Sequence, residues 1–185
     1  VANLFESLVS LQALLNRAGI SSAVIGGVAV GVWGEPRVTR DVDVKVLLGR
    51  DNARRLLEIL KSTYTALQSD PLQALTRNGI LFVKDQPGTR LDLLLSDTEF
   101  DSEAVRHAVP VELEHGLTAL VCRPEDLIIY KLVSTRLRDH EDAASVIRRQ
   151  GETLDDQYVL EWLDKFEQAL DDSTLIAEYR SMRRI

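Results

Sequence analysis

Residues 24–46 read VIGGVAVGVWGEPRVTRDVDVKV, and this stretch decides the fold. The apolar run Ala23-Val24-Ile25 enters Gly26-Gly27, which predicts a strand turning into a short helix, Val28–Trp33, closed by Gly34. From Asp41 to Val46, Asp41, Asp43 and Lys45 alternate with valines, the period of a half-buried strand. Aspartate is disfavoured in strands, so two of them between valines ask for a reason. Residues two apart on a strand share a face, about 7 Å apart at Cα. Two carboxylates at that separation repel by about 2 kcal/mol at an effective dielectric of about 20. Two readings stand. A hard cation such as Mg²⁺ takes carboxylate oxygens and removes the penalty; alternatively the face is solvated, with Lys45 as a neutralising neighbour. Gly26-Gly27 carries the same choice. Glycine lets a phosphate approach the backbone at a helix N-terminus, or it serves a tight strand-to-helix turn. No Gly-Lys-Ser/Thr follows, so this is not a P-loop, and the glycine spacing is not that of a dinucleotide fingerprint.

Further along, Asp92 interrupts an apolar strand, Arg90-Leu-Asp-Leu-Leu-Leu95. If that strand lies beside the Asp41–Asp43 strand, three carboxylates share one face, a trio able to hold two metal ions. The plainer reading is an exposed aspartate on an amphipathic strand. Leu4, Leu8, Leu11, Leu14 and Leu15 predict an N-terminal helix stopped at Gly19, and Leu56, Leu57, Ile59 and Leu60 mark another. Ile80–Val83 reads as a strand, and Val109–Leu113 with Leu117–Val121 as a hairpin around Glu114-His115-Gly116. Composition changes at Arg123-Pro124, a good helix start with Glu125 and Asp126 in its first turn. Helices are expected over 125–137, 139–150 and 155–170, then a tail helix with Leu175, Ile176 and Tyr179. The expected class is α+β: a sheet domain over 1–122 and a helical domain over 123–185.

The chain has 185 residues, 45% apolar and 28% charged, which is ample for a core without disulfides and speaks against wholesale disorder. No apolar run is long enough to span a bilayer, and no basic stretch followed by an apolar core opens the chain. The single Cys122 can form neither an internal bridge nor a multi-cysteine zinc site, so a reducing cytoplasm is expected. Twenty-nine acidic against 22 basic residues give a net charge of −7, which excludes a general nucleic-acid coat. A nucleic-acid partner would have to meet a local patch, Arg37 with Arg40 or the tail Arg180, Arg183 and Arg184.

Gly26-Gly27, a helix, then Arg37-x-Thr39-x-Asp41-x-Asp43 resembles the signature of the polymerase-β-type nucleotidyltransferases, and more narrowly the minimal and AbiEii-type bacterial members. Gly27 stands where many members carry serine. Asp126-Leu-Ile-Ile-Tyr-Lys131-Leu and Arg136-x-Arg138-Asp139-x-x-Asp142 are similar to the Lys and Arg-Asp-x-x-Asp segment of that group, so the resemblance touches roughly residues 22–150. It implies a mixed sheet with flanking helices followed by a helical bundle, with a nucleoside triphosphate between them. By resemblance Asp41, Asp43 and Asp92 are the catalytic, metal-binding carboxylates for two Mg²⁺ ions, with Mn²⁺ as a substitute. Gly26, Gly27, Arg37, Thr39, Arg40 and Lys131 are the implied nucleotide contacts. The implied reaction transfers a nucleoside monophosphate to an acceptor hydroxyl of RNA, protein or a small molecule. Some such proteins are toxins with a cognate antitoxin, which makes a partner protein an expectation here. Lys131 could instead snorkel from its helix, and Arg138–Asp142 could be an i,i+4 surface pair.

A rival from another class is a non-catalytic nucleotide-binding or interaction module on the same fold. A phosphatase-like use of Asp-Val-Asp fits less well, because the strand continues through Val46. His107, His115 and His140 lack metal-ligand spacing, and His140 reads as a solvated helix residue. Ser134 with His140 forms no recognisable nucleophile arrangement. Trp33, Trp162 and Phe166 read as core packing, and Cys122 as a buried thiol.

Overall fold

The computed structural model describes residues 4–39 and 41–184. In chain order the elements are α1 (Leu4–Arg17), β1 (Ser22–Ile25), α2 (Gly26–Trp33), β2 (Asp41–Val46), α3 (Ala53–Leu60), β3 (Thr65–Ala66), α4 (Pro71–Gln73), β4 (Ile80–Lys84), β5 (Arg90–Leu95), α5 (Glu99–Arg106), β6 (Val109–Glu112), β7 (Thr118–Val121), α6 (Pro124–Val133), α7 (Leu137–Gln150), α8 (Asp156–Leu170) and α9 (Leu175–Arg183). The class is α+β. One mixed sheet runs β3-β4-β5-β2-β1-β7-β6. The β1–β2, β3–β4, β4–β5 and β6–β7 pairs are antiparallel, whereas β2–β5 and β1–β7 are parallel.

The strand bounds predicted at Asp41–Val46 and Arg90–Leu95 are those observed. Their alternation shows why. Val42, Val44 and Val46 of β2, with Leu91, Leu93 and Leu95 of β5, are buried on one face. The other face carries Asp41, Asp43 and Lys45 beside Arg90, Asp92 and Leu94. Lys45 reaches Asp101 of α5 at 2.7 Å, so part of its charge is committed away from the aspartates. A capping box between Thr98 and Asp101 starts α5, which adds to the elements expected, as do β3 and α4.

The chain divides into two compact units. The first holds the sheet: residues up to Val28, with Val38–Cys122. The second holds Ala29–Arg37 and everything from Arg123 onward. In the second unit the expected helix over 125–137 ends earlier, at Val133, and the next begins at Leu137. The reason is local. The Ser134 hydroxyl donates to Asp139 at 2.6 Å and accepts from the Arg136 N–H at 3.3 Å, replacing helical backbone pairing.

Candidate active site

In the first unit, β1 and β2 are antiparallel with Ile25 opposite Asp43, and Gly26 follows directly as the first residue of α2. Gly26 adopts φ +62°, a left-handed conformation that favours glycine. A Cβ there would lie 2.7 Å from Asp43 Cγ and closer still to its Oδ2. The glycine therefore admits the carboxylate of the chain's own Asp43 against the opening turn of α2, whose positive dipole end favours an anion. That ties the two halves of the sequence motif together. Gly27 is buried in the same turn.

Asp43 stands directly opposite Asp92 across the parallel β2–β5 pair, and Asp41 stands opposite Arg90. The three carboxylates thus lie on one face in adjacent register. Thr39 directs its hydroxyl at Asp41, 3.0 Å from the main-chain oxygen and 3.3 Å from Oδ1, which orients this aspartate. Arg40 lies outside the described residues.

Arg90 was not among the residues singled out from the sequence. Its Nε lies 2.7 Å from Asp92 Oδ1 and its Nη2 2.8 Å from Oδ2, a two-bond fork on a carboxylate only 10% exposed. The guanidinium also lies over the Phe82 ring, 4.4 Å from its centroid. Its pKa is held above the ordinary value by the hydrogen bond to Asp92, with attraction from Asp92, Asp41 and Asp43 opposing the cost of burial. The signal for it existed in the sequence. The i,i+2 rule that put Asp41 and Asp43 on one face applies equally to Arg90 and Asp92.

The donor set of three carboxylates suits a hard divalent cation. Among the described residues no three His, Cys, Asp or Glu side chains stand close enough to share one ion. Both Asp92 oxygens are held by Arg90. The residues fit a cation in kind, and Asp92 would have to leave Arg90 to join Asp41 and Asp43 around it.

In the second unit, Arg37 and Lys131 meet on a single carboxylate. Arg37 forks Asp142 through Nε and Nη2, both at 3.0 Å. Lys131 Nζ lies 3.0 Å from Asp142 and also bonds Asp139. Lys131, Asp139 and Asp142 are between 7% and 15% exposed at their side chains. The pKa of Asp139 is lowered, because bonds from Lys131 and Ser134 outweigh the cost of its burial. Lys131 is therefore buried in an ion-pair cluster rather than snorkelling. Asp142 takes Arg37 and Lys131 as partners, and Arg138 at i−4 is exposed.

Other expectations are corrected. His140 is not simply solvated: Nδ1 lies 2.5 Å from Glu178 Oε1 and Nε2 2.6 Å from the Ser134 carbonyl. Trp33, Trp162 and Phe166 are half-buried rather than core. Lys165 lies over the Trp162 ring at 3.9 Å. Of the basic tail, Arg183 is forked onto Asp156 at 2.7 Å and is withdrawn from any patch. Cys122 is buried, as expected. No helix among the described residues is long and apolar enough to cross a membrane.

Several solved structures are similar to this chain. An antigenic nucleotidyltransferase-like protein from Paracoccidioides brasiliensis matches with a TM-score of 0.54 and 16% identity, over 94% of this chain and 95% of that one. The lincosamide antibiotic adenylyltransferase LnuA, with lincomycin bound, matches with a TM-score of 0.51 and 14% identity, over 76% and 94%. The antibiotic-resistance factor ANT(2'')-Ia in solution matches with a TM-score of 0.54 and 13% identity, over 90% and 93%. No family model matches the chain, and no curated protein matches it in sequence. With like charges set in register on a mixed sheet, and with these neighbours over most of its length, the chain has the fold of nucleotidyltransferase-like proteins.

Proposed function

We propose that this protein transfers a nucleoside monophosphate from a nucleoside triphosphate to an acceptor hydroxyl. The observation that carries the reading is Asp43 opposite Asp92 in parallel register, with Gly26 admitting Asp43 at the start of α2. Like charges directly opposite one another destabilise a sheet, so their placement calls for a cationic ligand. In this reading Asp41, Asp43 and Asp92 hold two divalent cations, Mg²⁺ or Mn²⁺. When bound, the cations supply charge neutralisation for the triphosphate and the departing pyrophosphate. The acceptor oxygen attacks the α-phosphorus, the bond to the bridging oxygen breaks, and pyrophosphate leaves. Asp92 takes the hydroxyl proton at a carboxylate oxygen. Thr39 keeps Asp41 oriented, and the Gly26-Gly27 turn brings backbone N–H groups to the face where phosphate binds. Arg37 and Lys131 act first as partners of Asp142, and any contact from them to phosphate is made at the expense of that pair.

A small-molecule hydroxyl is the acceptor class to test first. Two of the similar structures are an antibiotic adenylyltransferase and an antibiotic-resistance factor, and a net charge of −7 disfavours RNA. The AbiEii-like, toxin–antitoxin role rests on the sequence resemblance alone, and a cytoplasmic setting on the single Cys122. Growth arrest on expression, relieved by a partner protein, would support the toxin role. The rival of a non-catalytic module draws on the Arg90 fork, which occupies Asp92.

Thermal stability with each of the four nucleoside triphosphates, with and without Mg²⁺, decides between them. A ligand at about 100 times its Kd adds ~2.7 kcal/mol, a rise of about 5–10 °C in Tm for a chain this size. A Mg²⁺-dependent rise that vanishes in Asp41→Asn is the expected result. No rise with any nucleotide, in folded protein, would favour the module.

A further inference from the structure

The Arg90–Asp92 fork is more than a strand-surface ion pair, because of what surrounds it. Asp92 is 10% exposed and opposes Asp43, while Arg90 opposes Asp41. The guanidinium is fixed from two directions, by both Asp92 oxygens and by the Phe82 face. Phe82 is itself the cross-strand partner of Asp92 on β4. One residue thus supplies positive charge to the acidic face and claims both donor oxygens of one of its carboxylates. A planar guanidinium suits that task, since it carries a permanent charge and its fork matches a carboxylate. A divalent cation brings the same neutralisation in a smaller volume and needs the same oxygens.

We infer that Arg90 is a resident counter-cation for the acidic face and that a divalent cation binds by exchange, displacing the guanidinium from Asp92. The inference rests on the reading of Asp41, Asp43 and Asp92 as cation ligands. It makes Arg90 a positioning residue: it holds Asp92 in the cation-free protein and competes with the cation for it. Loading the face costs the fork, so the free protein binds cations more weakly than its carboxylates alone would allow. Release also leaves a forked donor beside the bound cation.

The test is Mn²⁺ binding to the full chain without nucleotide, followed by electron paramagnetic resonance of the free ion, a readout independent of turnover. Arg90→Gln keeps polarity and removes the charge, and it should bind Mn²⁺ about tenfold more tightly than wild type, the scale of one charge-assisted bond. Arg90→Lys keeps the charge without the fork and should fall between them, and it carries the test if the glutamine variant fails to fold. In an Asp92→Asn background the Arg90→Gln change should no longer alter Mn²⁺ affinity. Equal or weaker binding by both Arg90 variants, with Asp92→Asn alone still weakening binding, would overturn the exchange and leave the carboxylate site standing. Absence of Mn²⁺ binding in wild type and in both Arg90 variants would overturn the carboxylate site, and the exchange with it. A merely structural Arg90 would lower stability on substitution without raising cation affinity.

Discussion

Two clusters of charge, one in each unit, are built on opposite principles. In the helical unit, Arg37, Lys131, Asp139 and Asp142 alternate in sign, and each member touches an opposite charge. On the sheet, Asp43 faces Asp92 and lies two residues from Asp41, so like charges are neighbours in the register itself. In the first arrangement every charge has an opposite charge at hand. The second sets repulsion against the fold and holds it in place with Arg90 and the glycine turn. The helical cluster pairs opposite charges within itself, whereas the sheet face gathers carboxylates, the donor set that a divalent cation takes.

Substitution should separate the two. Asp43→Asn is expected to lower nucleotidyl transfer by orders of magnitude while changing the Tm of the cation-free protein little, because losing the repulsion from Asp92 offsets losing the contact with the opening turn of α2. Activity and melting of the same sample check this, and a loss of Tm would put Asp43 in the structural class. Asp142→Asn should do the reverse. It leaves Arg37 without its carboxylate and Lys131 with Asp139 alone, which should cost about 3 kcal/mol in urea unfolding, the low end for a buried pair. Little change in stability would mean the helical cluster is not structural after all.

Smaller effects sharpen the picture. Gly26→Ala combines an unfavourable positive φ with overlap on Asp43, a cost of about 2–4 kcal/mol. Adding Asp43→Ala removes the overlap but not the φ penalty, so the cost should fall to about 1–2 kcal/mol. An unchanged cost would deny that Gly26 exists to admit Asp43. The smallest effect concerns pH. His140 faces a carboxylate and a carbonyl, both acceptors, so both ring nitrogens must donate, and the hydrogen bond to Glu178 raises its pKa above the ordinary 6.5. Stability from this contact is complete below about pH 6.5 and is lost as pH rises through the raised folded value. His140→Gln should flatten that slope in melting curves taken from pH 5 to 9.

Much of this was legible from residue order alone. The alternation from Asp41 to Val46 defined β2, because a strand buried on one face writes its period into the chain, and Arg90–Leu95 was legible as a strand, though not as the neighbour of β2. Gly26-Gly27 was visible as a turn, but its reason was not. That reason depends on the β1–β2 register, which sets Ile25 opposite Asp43 and brings the carboxylate onto the next residue's backbone. The helix boundary at Ser134 was missed because helix propensity continues through it, and a bond from Ser134 to Asp139 ends the helix. Lys131 and Arg37 stood out as cations, yet 105 residues separate Arg37 from the Asp142 that holds it.

Residue order alone set the strand faces, the turn into α2 and the change from sheet to helices at Arg123-Pro124. These follow from periodicity and from backbone preferences, which act over a few residues. Tertiary structure alone decided which charge meets which: Asp43 against Asp92, Arg37 and Lys131 on Asp142, and Gly26 making room for Asp43. Such pairings depend on strand register and on contacts between residues far apart in the chain, and local preference carries no information about either.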